Sequence, residues 1–199
     1  MLCLGAGQAM AQDQCNESKC KMQSSVLGTL LTRKSVRKFR KKTVDPVLVE
    51  TMLRAAMSAP TAVNRQPWHF VVVDDKARLS ELAGQGRRGD MLRNAPLAIV
   101  VCGDMDKALD GKAKEYWIQD TSAATENILL AAHAMGLGAV WTGQWPMEDR
   151  YRQTQQVLGL PETIIPLSTI VIGYPDEDPA PKDKWNPANV SYNQYGQKK

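Results

Sequence analysis

The stretch HFVVVDD, residues 69–75, sets three valines in succession, Val71, Val72 and Val73. A continuous apolar run bounded by polar residues reads as a strand covered on both faces. Upstream, DPVLVETMLRAAMSAP (residues 45–60) carries Asp45 at an N-cap, Pro46 at the first helical position and a stop before Pro60, which predicts a helix. Downstream, KARLSELA is a short helix and PLAIVVCGD a second buried strand. Further out, SSVLGTLLTRK predicts a helix with Val26, Leu27, Leu30 and Leu31 on one side. The longest helix is expected from about Glu115 to Met135, with Ala124, Ile128, Ala131 and Met135 in one stripe and a stop at Gly136. GAVWTG is an extended segment, DRYRQTQQVLGL a helix and PLSTIVIGYP the last long strand. Helices and strands mix without strict alternation, so the expected fold class is α+β.

Composition narrows the function classes. The chain has 199 residues, 43% hydrophobic and 23% charged, which suits one globular domain (residues 24–199) behind a polar tail, residues 1–23. No apolar run reaches the ~18 residues of a membrane span. Cys3, Cys15, Cys20 and Cys102 are too few and too unevenly placed for a disulfide scaffold, and two histidines without close cysteine pairs argue against a metal site. The first residues, MLCLGAGQAMAQ, end in an A-x-A pattern but lack a basic n-region. The expected location is cytoplasmic, with export to the periplasm as the alternative. Residues 175–199 hold four prolines and no helical period, so this tail either dangles or wraps around something.

Two glycine patterns carry no nucleotide fingerprint. Gly84 to Gly89 satisfies G-x-G-x-x-G, but a helix precedes it and Pro96 soon follows, so it reads as a loop. Gly136-Leu137-Gly138 has Trp141 where a third glycine belongs. There is no nucleophile elbow and no H-E-x-x-H, while His69 and His133 read as structural histidines. A chain without its own reactive group that still does chemistry borrows a cofactor, and the expected site has no catalytic side chain and no metal.

RKSVRKFRKK, residues 33–42, holds seven basic residues in ten. If the first helix continues that far, Arg33 and Arg37 share a face with Ser35 between them, an arrangement suited to a phosphomonoester. A solvated surface fits the segment equally. SAPTAVNRQPWHF, residues 58–70, adds a rigid loop whose Asn64 and Gln66 offer donor and acceptor together, as reading a polar ring edge requires.

RKSVRKF, SAPTAVNRQPWHF, AAHAMGLGAVWTG and VIGYPDEDPAPKDKW, in this order and roughly this spacing, resemble the nitroreductase-like flavoproteins over about residues 27–190. The resemblance implies a central, mostly antiparallel sheet flanked by helices, in an intertwined homodimer that binds FMN between subunits. It implies phosphate and ribityl contacts from Arg33, Lys34, Ser35 and Arg37, with Lys182 and Lys184 as a second basic pair. The family commonly has Arg where Lys184 stands. Pro60, Thr61, Ala62, Asn64 and Gln66 would reach the flavin from the partner chain, and the C-terminal extension would wrap the partner. Trp141, Thr142 and Gly143 would run beside the isoalloxazine, while Tyr116, Trp117 and Trp145 are candidate substrate-pocket walls. The implied reaction is ping-pong hydride transfer from NADH or NADPH through flavin N5 to a nitroaromatic, quinone or related small acceptor. Alternatives on the same fold are dehalogenation, dehydrogenation and flavin fragmentation. A nucleic-acid-binding module using residues 33–42 is the remote one, since Phe39 is the only aromatic in the run.

Overall fold

The structure is a computed structural model that describes residues 26–84 and 87–199. The signal-like start, Cys3, Cys15 and Cys20 lie outside the described residues. Four strands form one sheet: β1 (Trp68–Val73), β2 (Leu97–Asp104), β3 (Gly138–Gly143) and β4 (Ile164–Gly173). Their order is β1-β2-β4-β3 and every neighbouring pair is antiparallel. The helices are α1 (Val26–Thr32), α2 (Pro46–Met57), α3 (Lys76–Leu82), α4 (Arg87–Asn94), α5 (Tyr116–Ala134) and α6 (Glu148–Leu158).

The two central strands explain why the sheet holds. Every residue of β2 is buried, as is β4 from Pro166 to Gly173. Side chains alternate across a strand, and here both faces are apolar. Ile99, Val101, Ile170 and Ile172 pack toward α2 and α5, meeting Met52, Ala56, Ala124 and Ile128. Ala98, Val100, Cys102 and Val171 face the opposite layer, with Leu79, Leu82 and Leu92 from α3 and α4. Burial pushes the Cys102 thiol up to about 12, so it behaves as the small hydrophobe that the sequence suggests.

Local signals place α2. The Asp45 side chain accepts the Val47 N–H at 2.9 Å, capping a helix that begins with Pro46. Gly159 ends α6 in the left-handed conformation, φ 64°, which its missing Cβ makes inexpensive.

Several expectations change. β1 is an edge strand, so its outer face is open: Val73 is 4% exposed but Val72 is 38% exposed. The first helix stops at Thr32, whose Oγ1 donates to Gly28 O at 2.6 Å. The chain then turns so that Val36 N donates to Ala139 O at 3.0 Å and Ser35 forms a parallel bridge with Ala139. Arg33 and Arg37 therefore do not share a helical face. Glycine permits this close approach, because a Cβ on Gly138 would stand 2.6 Å from Val36 Cγ1. The apolar side of α1 is open: Val26, Leu27, Leu30 and Leu31 are 78%, 68%, 48% and 69% exposed. The glycine pattern at 84–89 is not all loop, since its last three residues begin α4; residues 85 and 86 lie outside the described residues. Among the described residues no helix is long and apolar enough to cross a membrane.

Candidate functional site

A cleft of about 860 Å³ opens where the basic segment meets the C-terminal extension. Arg33, Lys34, Ser35, Arg37, Lys182 and Lys184 line it together with Leu30, Leu31 and Trp185. Five cations thus converge from two stretches far apart in the chain. Their charges are partly met: Arg33 Nε lies 3.0 Å from Glu126 Oε1, and Lys34 Nζ binds Asp178. Glu177 accepts the backbone N–H groups of Arg37 and Lys38. The carboxylates of both pairs are open to water, at 41% and 90% exposure, which weakens the pairs by solvent screening. A dianionic phosphate, with three acceptor oxygens, can take over such cations at small cost.

Behind the cations, His133 Nε2 lies 2.9 Å from Thr32 Oγ1. The Thr32 hydroxyl donates its proton to Gly28 O, so Nε2 must carry the hydrogen and donate it. Burial first, then the charges of Lys34 and Arg33, hold the His133 pKa below its usual value. The His133 ring thus ties α5 to the end of α1. His69, in contrast, is exposed on the edge strand.

Next to Ser35 runs the outer edge of β3. Trp141 is 36% exposed and Gly143 is open, and a Cβ built on Gly143 would meet no atom within 4 Å. Thr142 points inward, its Oγ1 donating to Thr169 O at 2.7 Å, so only its backbone can serve a ligand. Beyond the bridge at Ala139, this edge strand leaves backbone N–H and C=O groups of residues 141–143 without a neighbouring strand. That edge matches the needs of a flat heterocycle bearing both donors and acceptors.

Residues 60–66 do not line this cleft. They form a turn of unusual shape, in which Val63, Asn64 and Gln66 have φ of 44°, 57° and 52°. Left-handed conformation costs an L-residue roughly 1–2 kcal/mol, most for a β-branched one such as Val63. Such strain persists where surrounding structure enforces it and is concentrated at functional sites. Inside the turn, Thr61 Oγ1 accepts the Gln66 N–H at 3.1 Å and Gln66 Nε2 donates to Asn64 Oδ1 at 3.0 Å. Outside it, the Ala62 N–H is donated to Asp120 Oδ1 at 3.0 Å. Val63 is 79% exposed, so the turn projects its tip outward.

The three candidate wall aromatics part company. Tyr116 is 47% exposed, but Trp117 is 4% exposed and packs edge-on against Trp145, centroids 5.5 Å apart. Trp145 continues to Tyr151 at 5.3 Å. Trp117 is core because Gly103 makes room for it: a Cβ there would collide with the indole.

Asp120 and Gln144 are the residues that motif reading passes over. Asp120 continues the stripe of Ala124 and Ile128 backward by one turn, and an acid in an apolar stripe is a signal. Gln144 has no such signal. It is 4% exposed, its Nε2 donates to Thr169 Oγ1 at 2.8 Å, and its Oε1 is a buried oxygen with no partner among the described residues.

Comparison with known proteins identifies the family. The model of the nitroreductase family matches residues 30–86 and 79–174. A protein of Methanothermobacter thermautotrophicus, provisionally named an NADH dehydrogenase/NAD(P)H nitroreductase, is 43% identical over 165 residues, 83% of this chain and 85% of that one. A Bacteroides thetaiotaomicron structure of the same provisional name is 45% identical with a TM-score of 0.80, covering 85% of this chain and 98% of the other. An FMN-dependent nitroreductase from Clostridium difficile is 32% identical with a TM-score of 0.76, covering 85% and 99%. By this family match and these identities, the chain belongs to the nitroreductase family of oxidoreductases.

Proposed function

We propose that this protein is an FMN-dependent NAD(P)H oxidoreductase that reduces nitroaromatics, quinones or related small acceptors. The observation that carries the reading is the five-cation cleft beside the open edge of β3. Its size and charge suit a flavin monophosphate, and Gly143 leaves room for a ring where a side chain would intrude. Bound FMN supplies the redox-active ring that no side chain here offers. Arg33, Lys34, Arg37, Lys182 and Lys184 hold the phosphate, and Ser35 adds a hydroxyl. The backbone of Trp141, Thr142 and Gly143 offers hydrogen bonds to the ring, while the cations favour negative charge developing on it. No general acid is required of the protein. NADH or NADPH and the acceptor take turns in the same opening.

The site is shared between two subunits. Pro60, Thr61, Ala62, Asn64 and Gln66 do not line their own chain's cleft, whereas the exposed Leu30 and Leu31 of α1 do. A second copy placed against α1 covers these leucines and brings its own turn to the ring. In this reading the C-terminal extension wraps the partner, and Tyr116 borders the substrate opening.

The test of function is direct. Purified protein should release FMN, not FAD, on acid treatment and should oxidise NADH or NADPH with parallel-line kinetics against a quinone or nitroaromatic. Recovery of FAD, or no flavin after reconstitution, rejects the reading. Sharing has its own test. Arg33→Ala and Asn64→Ala homodimers should both be impaired, whereas their heterodimer regains about half of the wild-type flavin content, since one of its two clefts is intact. No recovery in the heterodimer places both residues on one chain's cleft.

A further inference from the structure

Asp120 has no task in the reading above, yet it is an acid with only 6% of its surface exposed. Its position on α5, one turn before Ala124 and two before Ile128, would suit an apolar residue. Burying a carboxylate is unfavourable unless it is well paired, and burial pushes its pKa up, opposed by the hydrogen bond from Ala62. That bond is the distinctive feature. Among the described residues, all other hydrogen bonds of residues 61–66 stay within residues 61–68, so Ala62 N–H to Asp120 Oδ1 is what ties the turn to the body of the domain. Three non-glycine residues of this turn are left-handed, and a turn so strained relaxes when nothing enforces its shape.

We propose that Asp120 is a positioning residue whose carboxylate, through the Ala62 N–H, holds the Thr61–Gln66 turn in its left-handed shape and so presents Asn64 and Gln66 to the flavin before it binds. This rests on the FMN reading above. A side-chain oxygen facing the Ala62 N–H suits the task, because removing it leaves a backbone donor without its partner. Preorganisation raises affinity by removing the ordering cost from the binding step.

The experiment has two arms. In flavin-free protein, amide hydrogen exchange across residues 61–66 should quicken about tenfold or more in Asp120→Ala, equivalent to about 1.4 kcal/mol. It should stay near wild type in Asp120→Asn, whose side-chain carbonyl can accept the same bond. In the second arm, flavin fluorescence quenching should show FMN affinity about tenfold weaker in Asp120→Ala and rescued in Asp120→Asn. Unchanged exchange in Asp120→Ala overturns the proposal, as does faster exchange with unchanged FMN affinity, or an Asn variant as impaired as the Ala variant. If Asp120→Ala does not fold, Ala62→Pro removes the same donor at a position where the preceding residue is already extended, and exchange at residues 64–66 is read instead. Should the wild-type protein bind no FMN, the cofactor reading fails, and the exchange arm still decides whether Asp120 anchors the turn.

Discussion

The centre of the sheet and the rim around the basic cleft follow opposite rules. In β2 and β4 each side chain finds its neighbours within one chain: Ile99, Val100, Val101, Ile170, Val171 and Ile172 have no exposed surface. At the rim, four apolar residues of α1 face outward, three residues of the 61–66 turn adopt costly backbone angles, and one glutamine oxygen is buried without a partner among the described residues. The interior is complete in one copy of the chain. The rim is shaped for something the single chain does not contain.

The largest expected effect tests the interior. Ile170→Ala should cost about 2–5 kcal/mol, through lost transfer energy and the cavity left behind. Urea unfolding should show a lower midpoint with an unchanged slope. A loss below about 1 kcal/mol, well under that range, would show that the sheet centre relaxes freely, and the contrast with the rim would disappear.

At the rim the expected effects fall on binding. Arg33→Ala should weaken FMN binding by about 1.5–3 kcal/mol, the range for a hydrogen bond to a charged group. Lys41→Ala, outside the five-cation cleft, should change it little. Equal effects in a fluorescence titration would mean that the whole basic run acts as a diffuse field. Val63→Gly should raise stability in urea by up to about 1 kcal/mol, since relief of left-handed strain exceeds the added unfolded-state freedom of glycine. A drop instead would mean that Val63 makes contacts worth more than its strain.

Much of the interior was legible because hydrophobic periodicity is a local signal. The apolar run from Leu97 to Val101 and the glycine stop after α5 can be read without reference to any distant residue. The basic cleft was legible as a set of residues, Arg33, Ser35 and Arg37 from the basic run and Lys184 through the family resemblance, but not as geometry. The i, i+4 reading of Arg33 and Arg37 failed because Val36 is buried beside Gly138 instead of extending the helix by another turn. Val72 looked buried because sequence runs do not tell an edge strand from a central one. Asp120 was hidden for a different reason: its meaning depends on an N–H group 58 positions away.

The smallest expected effect is in pH dependence. The native pKa of His133 is depressed by burial, then by Lys34 and Arg33. An unfolded histidine takes up its proton near pH ~6.5, while native His133 resists until the pH is lower. The unfolded state therefore binds more protons as pH falls below about 6.5, and stability declines from there toward the native pKa. In His133→Gln, the difference in urea midpoint between about pH 7.5 and about pH 5.5, either side of that value, should narrow. An unchanged difference would show that His133 adds nothing to the acid sensitivity.

Cys102, at the middle of the fully buried β2, turns this closed interior into a clock. Only a thiolate reacts quickly with alkylating reagents, and a thiol with a pKa of about 12 supplies almost none in the folded chain. Modification at this sulfur must wait until the layer of α3 and α4 lifts from β2 or the sheet itself opens, so its rate reports how often this side of the core comes apart.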